Sequence, residues 1–191
     1  MQTQQTDEQL LGRIQKGDEN AFVNLFRRRN GGVYRFAFAI CGRREWAEEI
    51  VQEVFVALMN SAQTLDPEKG SMQSWLYSVA RNQTRKRLEK ESRYVAFAQD
   101  TEGLDLPEAL STQESVLDAL THRERLDALD EAIAELPSPF REVLVLCDLE
   151  EANYDVAAGL LECPVGTIRS RLSRARAMLA AKLRDGEACK R

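Results

Sequence analysis

The stretch Tyr154-Asp155-Val156-Ala157-Ala158-Gly159-Leu160-Leu161-Glu162-Cys163-Pro164-Val165-Gly166-Thr167-Ile168-Arg169-Ser170-Arg171-Leu172-Ser173-Arg174-Ala175-Arg176 decides the fold. It divides into a short helix, a tight turn and a second helix that carries four arginines. That order is the pattern of a helix-turn-helix, whose second member enters the major groove of DNA. In the second helix Val165, Ile168, Leu172, Ala175, Leu179 and Leu183 recur three or four apart and make one stripe for burial. The remaining positions present Gly166, Thr167, Arg169, Ser170, Arg171, Ser173, Arg174 and Arg176. Guanidinium forks grip guanine edges or phosphates with two prongs, and short hydroxyl side chains let a helix sit close to the bases. A solvated basic face on a structural helix is the competing explanation. It accounts poorly for arginines packed this densely among small residues behind a helix and a turn. Asn153 suits the cap of the first helix, and Pro164 suits the first turn of the second.

The bulk charge runs against this local picture. The 191 residues include 26 basic and 31 acidic ones, a net charge of −5. Nucleic-acid binders commonly have a basic balance. The basic surface must then be local, and the acidic surface must serve something else. An apolar content of 43% with 30% charged residues suits a globular chain. No stretch approaches the roughly 18 apolar residues that a membrane span needs. The polar start from Met1 to Gln9 has no apolar run behind it, which argues against a secretory signal and for a cytoplasmic location. Cys41, Cys147, Cys163 and Cys189 are far apart and form no C-x-x-C pair, so they read as reduced thiols, not zinc ligands. His122 is the only histidine and cannot build a histidine metal site. No nucleophile–base pair, metal cluster or phosphate loop is visible. Neither catalytic residues nor a metal or cofactor is expected, and the chain does not read as an enzyme.

Apolar residues repeat at helical spacing along most of the chain, and no run alternates at period two long enough for a sheet. The expected fold is all-α. Thr6-Asp7-Glu8-Gln9 is a capping box ahead of Leu10, Leu11 and Ile14. Gly17 closes that helix and Asp18 caps a longer one through Phe22, Leu25, Phe26, Val33 and Phe36. Gly31-Gly32 is a candidate bend or interruption in it, and Cys41-Gly42 ends it. A third helix spans about 44–62 with Trp46, Ile50, Val51, Val54, Phe55 and Leu58 as its stripe. Asp66-Pro67-Glu68-Lys69-Gly70 is a turn, and Ser71 opens a fourth helix through Trp75, Leu76 and Val79. From Val95 to Thr121 there are six acidic residues and no lysine or arginine. Residues 95–113 read as a flexible acidic linker between two small helical domains, 1–94 and 114–191. A helix then runs to Leu136, Pro137 breaks it, and Ser138 with Pro139 starts the next.

Two further constellations stand out. Arg81, Arg85, Lys86, Arg87, Lys90 and Arg93 form a second basic stretch, with Asn82, Gln83 and Thr84 among them. This suits phosphate contact with adjacent polar reading of bases. A solvated helix end favoured by the helix dipole is the alternative. On the third helix Glu45, Glu48, Glu49, Gln52 and Glu53 surround the apolar stripe. DNA repels such a face; it is either ordinary solvated surface or a dock for a basic protein partner.

The chain resembles a bacterial sigma factor. Gly17-Asp18-Glu19-Asn20-Ala21-Phe22, Ala47-Glu48-Glu49-Ile50-Val51-Gln52-Glu53-Val54-Phe55, Asp66 to Ser71 with Trp75-Leu76, and Ala80-Arg81-Asn82 are similar to its first domain. Leu136-Pro137, Phe140-Arg141-Glu142-Val143-Leu144 and Cys163 to Arg176 are similar to its last. The resemblance is to the extracytoplasmic function (ECF) group of the sigma-70 family, and it covers nearly everything outside the linker. It implies recruitment of core RNA polymerase and promoter-specific initiation. Glu48, Glu49, Gln52 and Glu53 match the face that docks on the β′ clamp helices; the β flap is the second expected contact. Lys69, Ser71, Arg81, Asn82 and Arg85 match the part that recognises and opens the −10 element, where single-stranded bases are held in pockets. Thr167, Arg169, Ser170, Arg171, Ser173, Arg174 and Arg176 match the reader of the duplex −35 element. A cognate anti-sigma factor is a further implied partner, and an acidic linker could mimic nucleic acid inside the polymerase. Two places depart from the family pattern. Glu162 stands where the turn usually has glycine, and Glu151-Ala152 replaces a more usual Gly-Leu. A stand-alone helix-turn-helix regulator is the rival reading, and it predicts tight operator binding without polymerase. A protein that mimics or sequesters a sigma factor is a third.

Overall fold

The computed structural model describes residues 5–66, 70–98 and 129–188, and among these it is helical with no strand. The helices are α1 (Asp7–Ile14), α2 (Glu19–Cys41), α3 (Arg44–Ser61), α4 (Met72–Ala98), α5 (residues 129–134), α6 (Ser138–Leu144), α7 (Tyr154–Leu161) and α8 (Val165–Ala188). The all-α expectation holds.

Local chemistry sets most helix ends. Thr6 and Gln9 form the reciprocal capping box, and the Asp18 carboxylate accepts the Ala21 N–H at 3.2 Å. Arg13 donates to the same carboxylate from Nε at 2.9 Å and Nη2 at 2.6 Å. That ion pair, with the helix N–H, holds the Asp18 carboxyl below its usual range. Gly42 ends α2 at φ +69, a left-handed conformation that glycine adopts without steric cost. The expected cap at Ser138 is displaced by one residue. Pro137 occupies the cap, Ser138 begins α6, and the Ser138 hydroxyl donates to the Glu142 side chain at 2.5 Å. Pro164 likewise precedes α8, its carbonyl accepting the Thr167 N–H at 2.8 Å. α4 runs to Ala98, past the point where the linker was expected to begin. Residues 99–113 of that linker, Lys69, His122 and Cys189 lie outside the described residues.

Helix α2 is the central element. It packs on α1, α3, α4 and α6 and on the turn that follows α6. Leu25, Phe36 and Ala37 on it are fully buried. Phe55 of α3 meets Phe22 and Phe26 edge-on at centroid distances of 6.1 and 4.8 Å, and Phe36 meets Tyr77 of α4 at 5.3 Å. The C-terminal half has its own layer, where Val143, Leu144 and Leu146 meet Ile168, Leu172 and Ala175. The buried residues of both halves nevertheless form one continuous cluster, from Leu10 to Ala175.

Gly31-Gly32 does not interrupt α2, which is continuous through both. The glycine is used for close approach. A Cβ on residue 32 would lie 2.7 Å from the Tyr77 hydroxyl and 2.9 Å from Cδ of Glu150. Glycine in a helix interior costs about 1 kcal/mol relative to alanine, so this slot is retained against helix propensity. Between α6 and α7 the chain makes a π-helical turn, Val145–Leu149, that local periodicity did not indicate. It is succeeded by Glu151 at φ +53. The extra residue of a π turn rotates the chain beyond it, and here it aims Glu150 back toward α2.

Phe36→Ala should destabilise the protein by about 3–5 kcal/mol, because a fully buried ring at the helix shared by both halves is removed. Urea denaturation monitored by far-ultraviolet circular dichroism measures it; a cost under about 1 kcal/mol would mean α2 is not the common support.

Candidate nucleic-acid interface

The helix-turn-helix is built by short-range chemistry. Asn153 caps α7 by accepting the Val156 N–H at 2.8 Å. Glu162 ends α7 at φ +53, ψ +45, in the left-handed region that this position's usual glycine would fill without strain. The chain therefore keeps the turn geometry and bears the side-chain cost. Ile168, Leu172 and Ala175 bury the inner stripe of α8 against α6 and α7.

The outer side of α8 is basic. Arg169, Ser170, Ser173, Arg174 and Arg176 are exposed, while Thr167 and Arg171 are half-buried. The Arg169 guanidinium lies 5.9 Å from the ring of Tyr154, an exposed aromatic at the start of α7. Arg176 is committed within the protein. Its Nε and Nη2 donate to the two Asp148 oxygens at 2.8 and 2.6 Å, a bidentate pair that holds its proton more firmly still. It is a splint between α8 and the π turn, so of the α8 arginines it is the one least available to a ligand.

The second basic stretch is divided by its partners. Arg81 is largely covered, with its side chain 14% exposed, and its Nη1 lies 3.1 Å from Glu162 Oε1. Arg85 Nη1 reaches Glu162 Oε2 at 3.3 Å. The Arg81 hydrogen bond and charge, joined by Arg85, hold the Glu162 carboxyl below its usual range. Asn82 is exposed beside them. Ser71 caps α4, accepting the Ser74 N–H at 3.1 Å, and its hydroxyl also shares a 2.7 Å bond with that of Ser74. The structure thus brings Arg81 and Arg85 together at the end of α7, with Arg81 covered and Arg85 still open to solvent.

On α3, Glu48, Glu49 and Gln52 are exposed and Glu53 is half-buried. Arg87 of α4 bonds both Glu49 and Glu53, which bridges the acidic face to the basic helix and raises the Arg87 pKa. Val56 and Met59, 55% and 64% exposed, extend this face as apolar surface that a charge-based reading passed over.

One constellation escaped sequence reasoning. Glu150 accepts from Arg35 Nε at 2.8 Å and Nη2 at 2.5 Å, and from the Tyr77 hydroxyl at 2.6 Å. Gln73 Nε2 donates to the Glu150 carbonyl at 2.8 Å. Burial and the Glu150 hydrogen bond together raise the Tyr77 pKa. Arg141 donates to the Ala39 and Ala134 carbonyls, tying α6 to α2. The Gly31-Gly32 pair was the one signal of this approach in the sequence.

Residues 25–94 match sigma-70 region 2 and residues 126–179 match sigma-70 region 4, which places this helical, helix-turn-helix chain in the class of sigma-type transcription initiation factors. The chain is 30% identical over 180 residues to the ECF RNA polymerase sigma factor SigW of Bacillus subtilis, covering 92% of this chain and 95% of that one. It is 29% identical over 187 residues to the ECF RNA polymerase sigma-E factor of Haemophilus influenzae, covering 96% and 98%. The chain belongs to the ECF group of the sigma-70 family. Its fold is also that of the sigma factor RpoE solved with the anti-sigma factor NepR from Bartonella quintana. The TM-score is 0.64 at 22% identity, over 85% of this chain and 96% of that one.

Removing Arg81 removes the main cause of the lowered Glu162 pKa. In Arg81→Ala the Glu162 carboxyl should titrate at a higher pH than in the parent, measured by carbon-13 NMR of its side-chain carboxyl. The sign comes from the depressed folded-state pKa. The contribution of this contact is present above the ordinary carboxylate range and is lost as pH falls through the lowered value. An unchanged titration would remove the Arg81–Glu162 pairing from the solution structure.

Proposed function

We propose that this transcription initiation factor of the sigma type acts in the cytoplasm by joining core RNA polymerase and carrying it to promoters through two DNA contacts. The observation that carries this reading is the exposed side of α8, where Arg169, Ser170, Ser173 and Arg174 share solvent-facing positions above a fully buried stripe. Such a helix offers two-pronged arginine contacts and close approach to base edges in a major groove. It is proposed as the −35 contact, with Thr167 and Arg171 at its margin and Arg176 acting chiefly through Asp148 as a support.

The −10 contact is proposed on α4, through Ser71, Arg81, Asn82 and Arg85, with Lys69 in the loop before it. The acidic face of α3, from Glu48 to Glu53 with Val56 and Met59, is proposed as the dock for the β′ clamp helices. Acidic and apolar side chains together suit a basic protein surface and repel DNA. The β flap is the proposed second polymerase contact, toward the C-terminal half. An anti-sigma factor is the proposed negative partner, in line with the complex of the sigma factor RpoE, which shares this fold, with the anti-sigma factor NepR.

The test is in vitro transcription with core polymerase and genomic promoter fragments. The full chain should bind core and yield discrete run-off products. Losing one arginine contact at base edges costs about 1–3 kcal/mol, so Arg174→Ala should lower promoter-specific product roughly tenfold or more. Core binding by the same variant should stay intact. Failure of the parent chain to direct any promoter-specific product would overturn the reading, and loss of core binding in Arg174→Ala would reassign that face.

A further inference from the structure

We infer that Arg87 is a positioning residue for the polymerase-docking face: its guanidinium fork holds Glu49 and Glu53 together in the pose that a basic partner meets. The inference deepens the reading of α3 as the dock and rests on it. Glu49 and Glu53 stand one turn apart on α3, where two carboxylates repel each other. Arg87 comes from α4 and gives each acid a different prong, Nη1 to Oε2 of Glu49 and Nη2 to Oε1 of Glu53. One cation thus serves two anions, and the trio keeps a net negative charge. Among the described residues, Oε1 of Glu49 and Oε2 of Glu53 meet no hydrogen-bonding partner, so each acid keeps an oxygen for a ligand. The Arg87 side chain is 24% exposed, while those of Glu49 and Glu53 are 58% and 39% exposed. An internal competitor would cover the acids, whereas here the cation is the covered member.

A glutamate free in solvent samples many rotamers, and docking has to freeze them. Arg87 restricts both acids before the partner arrives, so less freedom is lost on docking. Arginine suits this task. Its planar fork fixes two acceptors at set angles, which the point charge of a lysine does not. The fork is not what holds α3 to α4. One turn further along α4, Glu91 pairs with Arg43, whose guanidinium lies 4.4 Å from the centroid of the Trp46 ring. Ile50, Val54 and Leu58 of α3 share one buried core with Leu76, Tyr77 and Ala80 of α4. Removing Arg87 therefore leaves the two helices packed.

The experiment measures displacement of the fluorescein-labelled parent chain from purified core RNA polymerase by unlabelled full-length variants. Circular dichroism checks that each variant is folded at the assay temperature. Fixing one long side chain in advance changes affinity by about twofold to tenfold, so Arg87→Ala should bind core weaker than the parent by a factor in that range. Arg87→Lys keeps the charge without the fork and should stay closer to Arg87→Ala than to the parent. Glu49→Gln combined with Glu53→Gln should itself weaken core binding. Adding Arg87→Ala to that double variant should cost nothing more, because Arg87 acts only through the two acids. An equal loss on removing Arg87 in both backgrounds would overturn the inference, since a general structural role predicts it. Core binding at parental strength by Arg87→Ala or Arg87→Lys would overturn it too, and tighter binding by Arg87→Ala would make Arg87 a competitor. If the parent binds core and the double variant binds it equally well, the dock is not on these acids and the inference falls with that assignment. If the parent does not bind core at all, the sigma reading itself falls.

Discussion

The Glu150 carboxylate, almost fully removed from solvent, is the charge on which the arrangement of the two halves depends. A buried carboxylate is tolerable only with charge-assisted partners, and it has them in Arg35 and Tyr77. Those partners lie on α2 and α4, so satisfying the charge requires the C-terminal half to sit against them. Several otherwise odd features answer this one demand. Gly32 interrupts nothing and leaves room. The π turn and the left-handed Glu151 turn the chain so that Glu150 faces α2. Arg141, donating to the Ala39 carbonyl, adds a further hydrogen bond along the same seam.

Charge in this protein is organised by pairing more than by region. A net charge of −5 looks unsuited to a DNA partner. In the fold many acidic groups are matched to specific arginines: Glu49 and Glu53 to Arg87, Glu162 to Arg81 and Arg85, Asp148 to Arg176. Each such pair engages an arginine as surely as it engages an acid, even where both stay exposed. The exposed side of α8 keeps Arg169 and Arg174 toward solvent. A count of basic residues along the helix therefore overstates the free basic surface, and the count along α4 overstates it more.

Legibility tracked range. Thr6, Asp18 and Asn153 as caps, Gly42 as a stop, and the stripe of Ile168, Leu172 and Ala175 were all visible in the sequence, because each depends on neighbours within a turn or two of helix. The left-handed backbone at Glu162 was not, since the sequence there shows only that the turn's usual glycine is replaced. Ser138 and Pro164 were each misplaced by one position, where a proline fits either side of a helix start. The candidate residues were legible as residue types and as members of particular helices. Which of those residues face solvent was not.

The sequence by itself determined an all-α chain, its helix-turn-helix, its basic and acidic faces and its family resemblance. These rest on periodicity, capping and motif order, which are properties of short segments. Only the tertiary structure decided that Arg176 is a support, that Arg81 is covered, and that Gly32 is a slot. Arg35 and Glu150 lie 115 positions apart, and Arg85 and Glu162 lie 77 apart. No local pattern specifies which distant carboxylate a guanidinium will meet; that is settled by how the buried stripes stack, and the charges then pair with whatever the packing brings within reach.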